Sequence, residues 1–294
     1  MKHIRIISPS GVIDPSYIDG ACARLRAWGM TVSEGAHARD SWGRFAGRDE
    51  DRLSDLAEAL QDESVDMILC SRGGYGLQRI IDRAPAISKP IIGFSDITAL
   101  HQLSAISHQP SVHGIMCKHI ATLPEDSEPI VALRRLLEGE ALTYTWQAHP
   151  LNREGEAEGM LTGGNLSVLY GLQGTKFSLQ HSAFSHQKPI LLIEDIGERH
   201  YHIDRMMRNL LMSGVLADIG GLVVGQFSDC EDDPLMSCSV YETIKEAVAQ
   251  YDYPVLFDAP IGHVEHNLPV WLSRPVQIGY SAASGTPYLR MGRS

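Results

Sequence analysis

Short apolar runs alternate with amphipathic segments through the first half of the chain. "HIRIIS" at residues 3–8 reads as a strand, and "PSYIDGACARLRAWG" at 15–29 as a helix closed by Gly29. "MTVSEG" predicts a second strand. "DEDRLSDLAEALQD" predicts an amphipathic helix, with Leu53, Leu56, Ala57 and Leu60 on one face and acids in its early turns. "VDMILC" has the unbroken apolar run of a buried strand. "GLQRIIDRA" then predicts a helix, "KPIIGF" a strand and "DITALHQLSAIS" a helix. Strands and helices alternating at this spacing imply a parallel, doubly wound sheet, which holds its ligands beyond the carboxyl ends of the strands.

From about 138 to 158 the rhythm breaks into polar, Gly- and Glu-rich sequence. Further strands follow at "KPILLIED", "IGGLVVGQF" and "PVLFDAP", with helices at "HIDRMMRNLLMSGVL" and "SVYETIKEAVAQY". The expected fold is α/β, with residues 1–145 as one domain and 155–294 as a second, mixed α/β domain. No fixed-period repeat appears.

Composition narrows the function classes. With 294 residues, 44% hydrophobic and 21% charged, the chain can bury substantial cores. Its net charge of -11 argues against nucleic acid and anionic lipid as partners. No stretch approaches the roughly 20 apolar residues of a membrane span, and the apolar run near the start is too short for a signal-peptide core. Five cysteines without CxxC spacing suit a reducing compartment and supply no disulfide or zinc framework. A soluble cytoplasmic protein without cofactor or metal is expected.

Three predicted strand ends carry polar residues where a strand would otherwise simply turn. In "GFSD", Ser95 and Asp96 precede a helix, and a serine or aspartate there is most often an N-cap. The competing reading is an elbow that raises the Ser95 hydroxyl above the sheet and aims the Asp96 N–H at a developing oxyanion. The hydrolase pattern G-x-S-x-G is incomplete, because Ile97 takes the last glycine's place. In "CSRGGYG", Gly73 and Gly74 allow close backbone approach for a phosphate or an oxyanion, or form a tight turn. They match neither the dinucleotide fingerprint nor the P-loop. Arg72 offers a guanidinium for a substrate carboxylate or for an internal ion pair. Cys70, also at a strand end, reads more readily as a small buried hydrophobe than as a nucleophile. In the second half, Glu194-Asp195 ends a strand and His263 follows another, so Ser95, Glu194 and His263 supply nucleophile, acid and base types. "HVEH" does not have zinc-protease spacing.

At these residues the sequence resembles the LD-carboxypeptidases, serine peptidases that trim murein tetrapeptides, whose relatives include the microcin-C immunity peptidase. The resemblance runs along nearly the whole chain, through "SPSG", "RFAGRDEDRLSDL", "SRGGYG", "GFSDITAL", "GMLTGGNLSVL", "IEDIGERHYHIDRM" and "GH" at 262–263. It implies Ser95 as nucleophile, His263 as base and Glu194 as the acid behind it, with Asp195 and Glu198 as rivals to Glu194. It further implies an oxyanion hole from the N–H of Asp96 and a glycine of the Gly73-Gly74 turn. It also implies a flavodoxin-like N-terminal domain bearing the serine, a C-terminal domain bearing Glu and His, and a homodimer. The implied reaction is release of terminal D-alanine from murein tetrapeptides. Two other readings stay open: cleavage of an aminoacyl-nucleotide or related amide, and non-catalytic binding of a sugar or nucleotide with Ser95 as a cap.

Overall fold

A computed structural model describes residues 2–179 and 188–293. The chain forms two compact units: Met1–Glu138 with Leu268–Leu272, and Gly139–Asn267 with Ser273–Ser294. None of the described helices is long and apolar enough to cross a membrane.

The first unit carries strands β1 (His3–Ile7), β2 (Thr31–Glu34), β3 (Met67–Cys70), β4 (Ile91–Gly93) and β5 (Ser111–His113), and helices α1 (Pro15–Ala27), α2 (Asp49–Gln61), α3 (Thr98–Ile106), α4 (Cys117–Thr122) and α5 (Glu128–Leu137). Its sheet runs in the order β5-β4-β3-β1-β2, all parallel. The strand β11 (Val270–Leu272) returns to add an antiparallel edge against β5. This is the flavodoxin-like doubly wound order, in which ligands sit at the carboxyl ends of the strands. Every side chain of β3 is buried, as expected of a central parallel strand.

Two of the helices expected from the sequence differ in the structure, and β5, α4, α5 and β11 were not among the expected elements. The buried face of α2 is Arg52, Asp55, Leu56, Ala59 and Leu60, displaced from the Leu53-Ala57 side. Polar partners cause the displacement. Arg52 is fully buried and donates to the carbonyls of Pro9 (2.7 Å) and Gly76 (3.1 Å), while pairing with Asp49. Asp55 accepts the His37 N–H, and Gly35 packs directly on its carboxylate. The segment 76–84, expected as a helix, forms two 3-10 turns, Leu77–Arg79 and Ile81–Arg83. Pro85 disfavours helical backbone just before it, and the Asp96 carboxylate takes the Leu77 N–H at 2.9 Å.

The second unit is built on one seven-stranded sheet, ordered β10-β9-β8-β7-β12-β13-β6. Its strands are β6 (Leu142–Thr145), β7 (Gly155–Asn165), β8 (Ile190–Ile196), β9 (Gly221–Ser228), β10 (Val255–Leu256), β12 (Pro275–Tyr280) and β13 (Tyr288–Met291). From β7 to β10 the pairs are parallel, and from β7 through β12 and β13 to β6 they are antiparallel. Helices α6 (Leu166–Leu172), α7 (His200–Met212) and α8 (Val240–Ala247) pack on the parallel half. There Leu191, Ile193, Met207, Leu210, Val224 and Ile244 join one apolar core. The polar stretch after residue 138 thus contains a strand, β6, with Leu142 and Tyr144 turned inward and the threonines outward.

Candidate active site

In the first unit, β4 ends in a sharp turn that leads through a 3-10 turn at Ser95–Ile97 into α3. Ser95 sits there with φ +67, in the left-handed region that costs a non-glycine residue about 1 kcal/mol or more. Neither the 3-10 turn nor α3 has a side-chain cap, so the common structural role of a serine at this position is not the one it plays. The Ser95 hydroxyl is half-buried and makes no hydrogen bond among the described residues.

The glycine turn after β3 packs onto this elbow. A methyl group added at Gly73 would lie 2.6 Å from Ser95 Cβ and 2.9 Å from its Oγ, so only glycine fits there without movement. Carbonyls carry the turn's own hydrogen bonds: Gly73 O accepts the Gly11 N–H at 3.1 Å, and Gly76 O accepts Arg79 N–H and Arg52. The N–H groups of Gly73, Gly74 and Asp96 have no backbone acceptor among the described residues. The Asp96 side chain is a brace. Its carboxylate accepts Ser10 Oγ at 2.5 Å and the Leu77 N–H, tying the loop after β1 and the glycine turn to the elbow. Burial raises its pKa, opposed by those hydrogen bonds and by the Arg52 charge.

This packing has a measurable consequence. Gly73→Ala forces Ser95 or the Phe94 carbonyl aside and is expected to destabilise the fold by about 1–3 kcal/mol in chemical denaturation. Gly292→Ala, where nothing lies within 4 Å, is the control and should change little.

Two sequence candidates fare differently. Cys70 is fully buried, and burial pushes its thiol far above the ordinary range, so it is no nucleophile. Arg72 is exposed and donates to the Val12 carbonyl at 2.8 Å, pairing with no acid among the described residues.

In the second unit, Glu194 on β8 reaches His263, in the loop after β10: His263 Nδ1 lies 2.7 Å from Glu194 Oε2. Glu194 is fully buried and the imidazole 13% exposed. Glycines open the room for this pair. A methyl at Gly225 would lie 2.3 Å from Ile261 O, and one at Gly262, which has φ +133, 3.1 Å from Glu194 Oε2. The loop is pinned by Gly262 N–H on Asn267 Oδ1 (3.0 Å) and Ser228 Oγ on His263 O (2.9 Å). With Nδ1–H donating to the carboxylate, Nε2 bears the lone pair a general base requires. Burial lowers the His263 pKa, but the Glu194 hydrogen bond and the charges of Glu194 and Asp195 outweigh it, and the net direction is upward.

The rival acids are engaged elsewhere. A bulge between Ile193 and Asp195 lets the two neighbouring carboxylates serve different partners. Asp195 accepts Asn165 Nδ2 (2.9 Å) and the N–H groups of Ser167 (2.8 Å) and Ile196 (2.9 Å). Burial and the Glu194 charge push its pKa up to about 7. Glu198 pairs with His202 at 2.9 Å. Sequence reasoning missed Asp96, Arg52, Asn165 and Asn267 as supports, since each acts through a contact between segments remote in the chain.

Among the described residues, one cluster has metal-ligand types within reach of each other: His37, Asp40 and Asp51. Its groups already have protein partners, His37 Nδ1 with Asp40 and Asp51 with the Arg48 N–H.

Two family descriptions match the sequence: LD-carboxypeptidase N-terminal domain at residues 4–114 and LD-carboxypeptidase C-terminal domain at residues 158–278. A probable murein peptide carboxypeptidase of Bacillus subtilis is 34% identical over 298 residues, covering 96% of this chain and 88% of the relative. The murein tetrapeptide carboxypeptidase of Pseudomonas aeruginosa is 30% identical over 280 residues, covering 90% and 89%. The crystal structure of muramoyltetrapeptide carboxypeptidase from Oxalobacter formigenes shares the fold at a TM-score of 0.88 and 24% identity, over 99% of both chains.

Proposed function

The chain belongs to the LD-carboxypeptidase family, and from that premise we propose that it is a serine-type peptidase releasing terminal D-alanine from murein tetrapeptides by hydrolysis of an L–D peptide bond. The observation that carries the chemistry is Ser95, held at left-handed φ on a strand-to-helix elbow with its hydroxyl spent on no cap. Relatives at 34% and 30% identity whose names specify murein peptides support the substrate.

In this reading Ser95 Oγ attacks the scissile carbonyl and His263 Nε2 takes its proton, while Glu194 holds the ring and stabilises its cation. The amides of Asp96 and of Gly73 or Gly74 receive the oxyanion, each such donor contributing roughly 3 kcal/mol. His263 then protonates the departing amine, and water repeats the sequence on the acyl-enzyme. Arg72 supplies charge for the free carboxylate that an exopeptidase must recognise. The same reading places the protein in the cytoplasm as a homodimer, without cofactor, as the family resemblance implies.

The test is mass spectrometry of a murein tetrapeptide incubated with purified protein. Tripeptide and free D-alanine are expected, with an L-alanine-terminated analogue left intact. Turnover of an aminoacyl-nucleotide amide with no D-alanine release would replace this reading by the immunity-type one.

A further inference from the structure

Beside the Ser95 elbow, and wholly within the first unit, lies a cavity of about 370 Å³ lined by Gly11, Val12, Arg44, Arg72, Gly74 and Tyr75. Gly73, between two of these residues in sequence, is the one packed on Ser95. Arg72 lies across the glycine backbones, its Nε about 3.5 Å from where a Gly11 side chain would start. One of its donors goes to Val12 O, and no carboxylate among the described residues balances its charge.

Arg44 is the second cation of this cavity. It has no ion pair or side-chain hydrogen bond among the described residues, although the chain carries a net charge of -11. Nearby surface arginines do hold acids: Arg39 holds Glu34 and Asp19, Arg79 holds Asp49, and Arg83 holds Glu50. The backbone under Arg44 is fixed. Trp42 and Phe45 exchange hydrogen bonds of 2.8 and 3.1 Å around Gly43, which has φ +61. Arg44 O accepts the Val12 N–H at 3.0 Å, and Ala46 N–H donates to Ser10 O. The guanidinium groups of Arg52 and Arg79 lie over the Phe45 ring, 5.1 and 5.4 Å from its centroid. A hydrogen-bonded turn therefore places Arg44, which has no ion pair among the described residues, on the lining of the same cavity as Arg72.

Two arginines on the lining of a glycine-walled cavity suit a carboxylate, which guanidinium groups bind through paired charge-assisted hydrogen bonds. We infer that Arg44 and Arg72 together clamp the free C-terminal carboxylate of the leaving D-amino acid. The inference rests on the peptidase reading above. An exopeptidase's chain end lies only one residue past the bond under attack, which matches a cavity adjoining the residue that touches Ser95. Arg44 thereby sets the requirement for a free terminus.

The test compares tetrapeptides ending in free D-alanine and in D-alanine amide, with wild type, Arg44→Ala and Arg44→Lys. On the free acid, Arg44→Ala is expected to lower kcat/KM about 10- to 100-fold, mainly through KM, with Arg44→Lys between. On the amide, which lacks the charge to be clamped, wild type should be slow and the variants equal to it. Equal losses on both substrates, or no loss on the acid, overturn the clamp while leaving the peptidase intact. A penalty that persists on the amide but vanishes when lysine replaces a third residue bearing a side-chain carboxylate assigns Arg44 to that carboxylate and overturns the assignment to the terminus. If wild type cleaves the terminal residue from neither peptide, as D-alanine or as D-alanine amide, the peptidase reading falls and the clamp with it.

Discussion

Ser95→Gly is expected to yield a protein that is more stable than the parent and inactive. The backbone at residue 95 has φ +67, where a side chain costs about 1 kcal/mol or more and glycine costs nothing. Glycine also loosens the unfolded chain, which returns about 0.4–1 kcal/mol, so the net gain is a few tenths to about 1 kcal/mol. Ser95→Ala keeps the Cβ and the strain and should gain nothing. Both variants lack the hydroxyl, and D-alanine release should fall by about 10⁴-fold or more, to what binding and oxyanion contacts sustain alone. The sign of the stability change separates the two roles a serine plays before a helix. Removing a true N-cap costs about 0.5–2 kcal/mol with alanine. Denaturant midpoints and D-alanine release on the same preparations read both effects. A destabilised Ser95→Gly that keeps normal turnover would make the residue a structural cap and leave the serine mechanism without its nucleophile.

Strain of this kind is invisible in a string of residues. "GFSD" shows the serine and the following helix, so the elbow was legible as one of two readings, but nothing in four letters sets φ at Ser95. Strands β1 to β4 and β8 to β10 were legible, most plainly where apolar runs such as "MILC" and "ILLI" must be buried, whereas β5, β6, β7 and β11 to β13 were not read from the sequence. Helix α2 was legible as a helix and misleading as to its face. Hydrophobicity favoured Leu53 and Ala57, while Arg52 and Asp55 turn inward because carbonyls and N–H groups from distant loops satisfy them. Residues 77–83 fail as a helix for a related reason: a carboxylate 19 positions away takes the Leu77 N–H.

The family resemblance named Glu194 as the acid behind His263, but residue types alone left Asp195 and Glu198 as rivals. Glu194, Asp195 and Glu198 are all carboxylates near one strand end, and only the bulge in β8 and the small residues Gly225 and Gly262 decide which of them meets the ring. Asp195 then does a second job, capping the start of α6 through the Ser167 N–H and orienting Asn165, itself the N-cap of that helix.

Glu194→Gln is expected to lower kcat/KM by about 10³–10⁴-fold and to move the acid limb of its pH profile downward. The substitution keeps the shape and loses the charge. An amide –NH₂ turned toward Nδ1 would favour the tautomer with Nε2 protonated, which cannot accept the serine proton. The pH shift follows from opposing influences on the imidazole. Burial disfavours its cation, while the Glu194 hydrogen bond and the Glu194 and Asp195 charges favour it and prevail. In the parent, His263 is therefore protonated up to a pH above its ordinary 6.5, and with His263 as the proposed base activity is expected to rise only as that proton leaves. Its contribution to stability has the opposite course, full below the unfolded-state pKa and lost as pH rises through the raised folded value. Without Glu194 the burial penalty dominates, so the activity rise moves to lower pH, and the low-pH stabilisation is replaced by a cost that fades as pH rises through the unfolded-state pKa. Asp195, with a pKa near 7, titrates in the same range, and Asp195→Asn is the control. It removes a charge but leaves the Glu194 hydrogen bond on the ring, so its shift should be the smaller one. An acid limb unmoved in Glu194→Gln would show that the carboxylate does not govern the proton on the base.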